Sequence, residues 1–125
     1  MKTKIWISFI ALIYIVLGVC FLVNPAGMGT GIGMTDISLE AQIELQAFYG
    51  MLEVSLGLYL IQLGFKNNIQ EALRLIAFTF IAFALGRSIG CIQAGEFVGN
   101  HSLWLCIEVP VIIINFLITH KQKRV

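Results

Sequence analysis

The sequence predicts an all-α integral membrane protein, a bundle of four transmembrane helices with both the N- and C-termini cytoplasmic. Three observations predict it: scarce charge, four long apolar runs, and a one-sided distribution of lysine and arginine. Only 12% of the 125 residues are charged, 58% are hydrophobic, and the mean hydropathy is +0.90. A soluble domain carries about 25% charged residues, so polar side chains are too few to coat a surface facing water. The length fits one membrane domain over residues 1–125. A net charge of +1, with no basic run in a folded region, predicts no nucleic-acid partner.

The first span is expected at 5–23. Ile5 to Val23 contains no charged residue and makes about 28 Å of helix, the thickness of a hydrocarbon core. Lys2 and Lys4 precede it as in a signal peptide, but the run is long for one, and Asn24-Pro25 replaces a small-residue cleavage site. Val19 before Cys20 argues against a lipid-modified cysteine. Asn24 to Asp36, with Pro25, Gly27, Gly29, Gly31 and Gly33, reads as a flexible connector. It lacks the Lys-Ser/Thr pair of a phosphate-binding loop. Ser38 is a helix N-cap, and Glu40 and Glu44 suit the positive end of the dipole. An amphipathic start there leads into the second span, about 45–65. Lys66-Asn67-Asn68 makes a short turn before the third span, about 72–92. Gln93 to His101 forms the next loop, and the fourth span covers about 102–119. All four are helices, because a lone strand in lipid leaves its backbone groups unsatisfied.

Four spans put Lys2, Lys4, Lys66, Arg74, Lys121, Lys123 and Arg124 on one side. The other side holds Asp36, Glu40, Glu44 and Glu96, with no lysine or arginine in its loops. The positive-inside rule makes the basic side cytoplasmic. The expected location is the cell membrane, multi-pass, which in a bacterium is the inner membrane.

Glu53, Arg87 and Glu108 lie inside spans. A charge at mid-span costs at least about 2.5–3.5 kcal/mol, so such residues turn inward and find partners. Counting from the predicted helix ends places all three roughly 9–14 Å below the outer boundary. The expectation is a buried Glu53–Arg87–Glu108 cluster, with Tyr49 as a neighbouring donor. Gln46, Tyr49 and Glu53 share a stripe at helical spacing, as do His101, Trp104, Glu108, Asn115 and Thr119. Cys91 lies one turn beyond Arg87, and Pro110 disturbs the turn that holds Glu108. The cluster has two readings: an ion-paired network that fixes helix register, or a polar pocket for a lipophilic molecule or a proton.

Gly50, Gly57 and Gly64 recur every seven residues, and Ala82, Gly86, Gly90 and Ala94 every four. Both are stripes that let helices approach closely inside the bundle. Cys20, Cys91 and Cys106 read as small apolar packing residues, with a Cys91–Cys106 disulfide or one involving Cys20 as the alternative; no metal ligation is expected, for want of suitably spaced histidines. Trp6 and Trp104 read as interfacial anchors, and His101 and His120 as solvated ends of the last span.

The segments from Glu44 to Glu53 and from Ala84 to Gly90, followed by Glu108, resemble a family of small bacterial four-helix membrane proteins, domain of unknown function family 4345. The resemblance runs strongest from Glu40 to Glu108 and rests on Tyr49, Gly50 and Glu53, then Gly86, Arg87 and Gly90. It implies the architecture and no reaction. A looser similarity to DoxX-like proteins implies quinone-linked chemistry by fold-level analogy alone.

Three functions follow. The first is an accessory, structural or interaction protein that meets the lipid bilayer and a membrane-protein partner. The alternative is a binder or enzyme for a lipophilic ligand such as a quinone, isoprenoid or sterol-like lipid. A proton-coupled transporter ranks last, for want of an inverted repeat. No cofactor is predicted.

Overall fold

The structure, a computed structural model, describes residues 2–95 and 101–122. All regular structure among these residues is helical. The chain divides into two units, one ending at Asn68 and the other beginning at Ile69. Four helical segments are long and apolar enough to cross a membrane: Lys2–Val23, Leu39–Phe65, Ile69–Ala94 and Leu103–Gln122. Glu96, Lys123 and Arg124, which entered the charge argument, lie outside the described residues.

In the first unit, α1 (Lys2–Val23) begins three residues before the apolar run. Apolarity marks what avoids water, whereas backbone hydrogen bonding continues through lysines, which are good helix formers. Its buried face is Ile7, Ile10, Ala11, Tyr14, Gly18 and Phe21, at spacings close to three and four. The expected flexible connector instead contains a short helix, α2 (Pro25–Gly31). The Asn24 side chain accepts from the Gly27 N–H at 3.0 Å, and Pro25 occupies the first turn, where its missing N–H costs nothing. Cap and proline together start a helix that the glycines alone disfavour. Gly33 and Asp36, both at positive φ, then reverse the chain.

Ser38 caps the next segment as expected, accepting from the Ala41 N–H at 3.2 Å. α3 (Leu39–Leu45) passes into a π-helical stretch, Gln46–Met51, and then into α4 (Leu52–Phe65). The Leu52 N–H accordingly reaches back five residues to the Ala47 carbonyl. α1 packs against both the π stretch and α4. A Cβ on Gly18 would stand 2.6 Å from the Gly50 carbonyl oxygen, and one on Gly57 would stand 2.7 Å from the Ala11 carbonyl oxygen. Gly50 and Gly57 thus serve close approach as expected, and Gly18 is their counterpart on α1. Gly64 does not, since a Cβ there meets nothing within 4 Å. α4 closes on Asn67 in the left-handed region, with Asn68 N–H bonded to the Leu63 carbonyl and Asn67 N–H to that of Gly64. Asparagine here occupies the position where glycine usually ends a helix.

The second unit is a hairpin of α5 (Ile69–Ala94) and α6 (His101–Gln122), packed side by side. α6 runs unbroken through Pro110. Leu73 meets Asn115 and Arg87 meets Glu108, so the helices are antiparallel. The small residues Ala82, Gly86, Gly90 and Ala94 lie on an exposed face of α5. Within this unit no atom stands within 4 Å of a Cβ on Gly86 or Gly90, so they do not mediate the α5–α6 contact.

Candidate functional site

The two buried residues among those described in α6 are both polar: Glu108, 3% exposed, and Asn115, 1% exposed. Leu103, Ile107, Val109, Ile113, Ile114, Phe116 and Leu117 are exposed instead. Seven residues separate the pair, which puts both on one face of the helix. Asn115 Nδ2 donates to the Leu73 carbonyl oxygen at 2.9 Å. That bond fixes the register of the hairpin.

Counting outward from this contact places the Arg87 backbone nearer the level of His101 and Trp104 than that of Glu108, an offset of up to about 10 Å. Helical side chains lean toward the N-terminus of their own helix. On antiparallel helices Arg87 and Glu108 therefore lean toward each other and close the gap. Arg87 Nε donates to Glu108 Oε1 at 2.7 Å. The guanidinium also lies 5.5 Å from the centre of the Trp104 ring, within cation–π range. Arg87 Nη1 makes a long contact of 3.5 Å with His101 Nδ1. Guanidinium has no acceptor, so a hydrogen bond here is one in which Nδ1 accepts.

Two features distinguish this arrangement from a closed ion pair. Glu108 Oε2 is buried and makes no hydrogen bond among the described residues. Arg87 keeps 24% of its side-chain surface exposed, and its Nη2 donors make no hydrogen bond among the described residues. The pair thus keeps one buried acceptor unused and one guanidinium edge partly open.

The structure thus brings together Arg87 and Glu108, as the sequence led us to expect. It adds two groups the sequence reading set aside. His101 is half-buried with a contact to the guanidinium, and the guanidinium lies over the Trp104 ring, so neither residue serves only as a solvated end or an anchor. Their spacing of three and seven residues to Glu108 was the available signal.

Glu53, Tyr49 and Gln46 belong to the first unit. Glu53 stands half-buried in the first turn of α4. Gln46 Nε2 donates to the Leu22 carbonyl at 3.0 Å, and the Tyr49 ring lies 5.1 Å from that of Phe21. The stripe expected through Gln46, Tyr49 and Glu53 assumed uninterrupted α-helix, and the π stretch resets that phase before Glu53. Cys91 is buried and Cys20 and Cys106 are exposed, all three as free thiols.

Among the described residues, fold and site define a small all-helical protein with four membrane-length helices and an arginine–glutamate pair joining the last two, its carboxylate buried and its guanidinium partly exposed. Residues 2–119 match a family known as a domain of unknown function, DUF4345, and the chain belongs to that family. No curated protein and no solved structure matches the chain.

Proposed function

We propose that this chain is a multi-pass protein of the cell membrane, crossing it four times with both ends cytoplasmic, and that it serves there as an accessory or interaction protein. The observation that carries this reading is the inverted packing of α6, which buries Glu108 and Asn115 and turns its large apolar residues outward. Water would penalise that arrangement, whereas lipid favours it because polar groups find partners only inside the protein. The basic residues within the described helices and turns, Lys2, Lys4, Lys66, Arg74 and Lys121, support the orientation.

Single cysteines test it in a background with Cys20, Cys91 and Cys106 replaced by serine. A membrane-impermeant maleimide is expected to label Asp36→Cys in intact cells and Gln122→Cys only after permeabilisation. Labelling of both from outside refutes the orientation, and release of the protein by carbonate washing refutes membrane insertion. The accessory role predicts that gently extracted protein carries a second membrane protein in fixed ratio; recovery of a monomer alone argues against it.

A second reading is favoured by the buried, unbonded Oε2 of Glu108. In it, the α5–α6 hairpin binds a lipophilic small molecule at the Arg87–Glu108 pair. Native mass spectrometry of protein extracted from its own membrane tests this, with a retained small-molecule mass expected and a clean apo mass opposing it.

A further inference from the structure

Taking the second of these readings as its basis, we infer that the Arg87–Glu108 pair binds the headgroup of an uncharged amphiphile bearing a hydroxyl next to an ester carbonyl, the chemistry of a diacylglycerol. Glu108 is almost wholly buried, yet only Oε1 is bonded, while Oε2 makes no hydrogen bond among the described residues. A buried acceptor of this kind is rare, and each case calls for a missing partner. The partner must be a donor, because an ionised carboxylate only accepts.

Beside it stands the complementary group. Arg87 spends Nε on Glu108 and directs Nη1 at His101, which leaves the Nη2 donors for an incoming acceptor. The guanidinium also lies over the Trp104 ring, 5.5 Å from its centre, which helps to hold the arginine in place. The site therefore asks for a donor and an acceptor on one molecule, a few ångströms apart.

Charge narrows the class. The guanidinium and carboxylate cancel, and they are 2.7 Å apart. An anionic headgroup gains Arg87 but meets Glu108, and a cationic one meets the reverse, so a neutral headgroup suffers neither repulsion. A hydroxyl donating to Glu108 Oε2 and a carbonyl accepting from Arg87 Nη2 satisfy both groups together. Acyl chains suit the exposed Leu103 and Ile107 on the adjoining surface of α6. Oε2 is covered while Arg87 is partly open. The guest meets the guanidinium first, and Oε2 is reached only as the partly exposed Arg87 side chain shifts to admit it.

The test uses the full chain in phosphatidylcholine nanodiscs, with Trp104 fluorescence followed in a Trp6→Phe background and native mass spectrometry as an independent readout. Dioleoylglycerol is expected to bind saturably. Triolein lacks the hydroxyl and oleyl alcohol lacks the carbonyl, so each should bind about tenfold more weakly, the loss of one hydrogen bond. Dioleoyl phosphatidic acid, which is anionic, should bind no better than these. Arg87→Lys, which keeps the charge and loses the fork, should weaken dioleoylglycerol binding by a similar factor. Equal binding of dioleoylglycerol and triolein, or tighter binding of phosphatidic acid, overturns the headgroup assignment while leaving a lipid-binding hairpin intact. An absence of binding by all four lipids, together with an apo mass for protein from native membranes, overturns the binding reading itself.

Discussion

Replacing Gly18 by alanine tests the closest approach in the first unit, and Gly64→Ala supplies the control. A Cβ at Gly18 would stand 2.6 Å from the Gly50 carbonyl oxygen and 2.8 Å from the Val54 backbone nitrogen. Both neighbours are backbone, so no rotamer change relieves the contact; α1 must move off the π stretch and α4. Reaching ordinary contact distance requires a separation of about 0.8 Å or more, along a seam that also includes Gly57 and the Ala11 carbonyl. Overpacking of this kind costs about 1–3 kcal/mol. Part of it is offset by the helix propensity of alanine over glycine, about 0.8–1.0 kcal/mol. At Gly64 the same methyl meets nothing within 4 Å, so only the propensity gain remains. Gly18→Ala should therefore be the less stable variant by about 1–3 kcal/mol, up to a hundredfold in the folding equilibrium. Reversible unfolding in mixed micelles, followed by far-ultraviolet circular dichroism, measures the difference. Equal stability of the two variants would refute the close approach of α1 to the π stretch.

Further predictions concern the hairpin and the cap. Arg87→Met leaves a buried carboxylate without its cation and should cost about 3 kcal/mol, while Arg87→Met combined with Glu108→Leu should recover most of that loss; additive losses in the same unfolding assay would show that the two residues do not act as a pair. Asn115→Ala removes a buried hydrogen bond to the Leu73 carbonyl, which keeps its partner within α5, and should cost about 1 kcal/mol, with amide exchange accelerating in α5 and α6. Ser38→Ala removes the cap on α3 and should cost about 1 kcal/mol. Hydrogen exchange confined to residues 39–45 checks it; unchanged protection would mean the cap carries no weight.

Long apolar runs made the helices legible, because period and length need no knowledge of neighbours. The Ser38 cap was legible for the same local reason. Helix α2 was not, since glycine content argues against a helix and only the Asn24–Pro25 pair argues for one. The π stretch leaves no comparable mark: one extra residue per turn does not alter an almost uniformly apolar sequence. At the site, the pairing of Arg87 with Glu108 was legible because an apolar span offers a charge few partners. The estimate of a common depth was coarser. It counted from predicted helix ends, whereas the Asn115–Leu73 contact sets the register and carries Arg87 toward His101 and Trp104. Length and lean of the arginine, not equal depth, complete the pair.

The two units hold their helices together by different physics, and the difference bears on where a function resides. Between α1 and α4 the contact is made by glycines against backbone, with apolar residues filling the rest. Such a seam rests chiefly on van der Waals packing, although its helices also carry the buried Tyr14 and the half-buried Glu53. Between α5 and α6 the buried face of α6 holds only Glu108 and Asn115 among its described residues, so polar bonds set the register there. If register were the whole purpose, Asn115 would suffice, since a single buried amide already specifies alignment. An arginine–glutamate pair adds little net stability over apolar residues of the same size. A pair kept with one carboxylate oxygen unbonded and one guanidinium edge open adds little as a lock, which is the condition the proposed binding role requires.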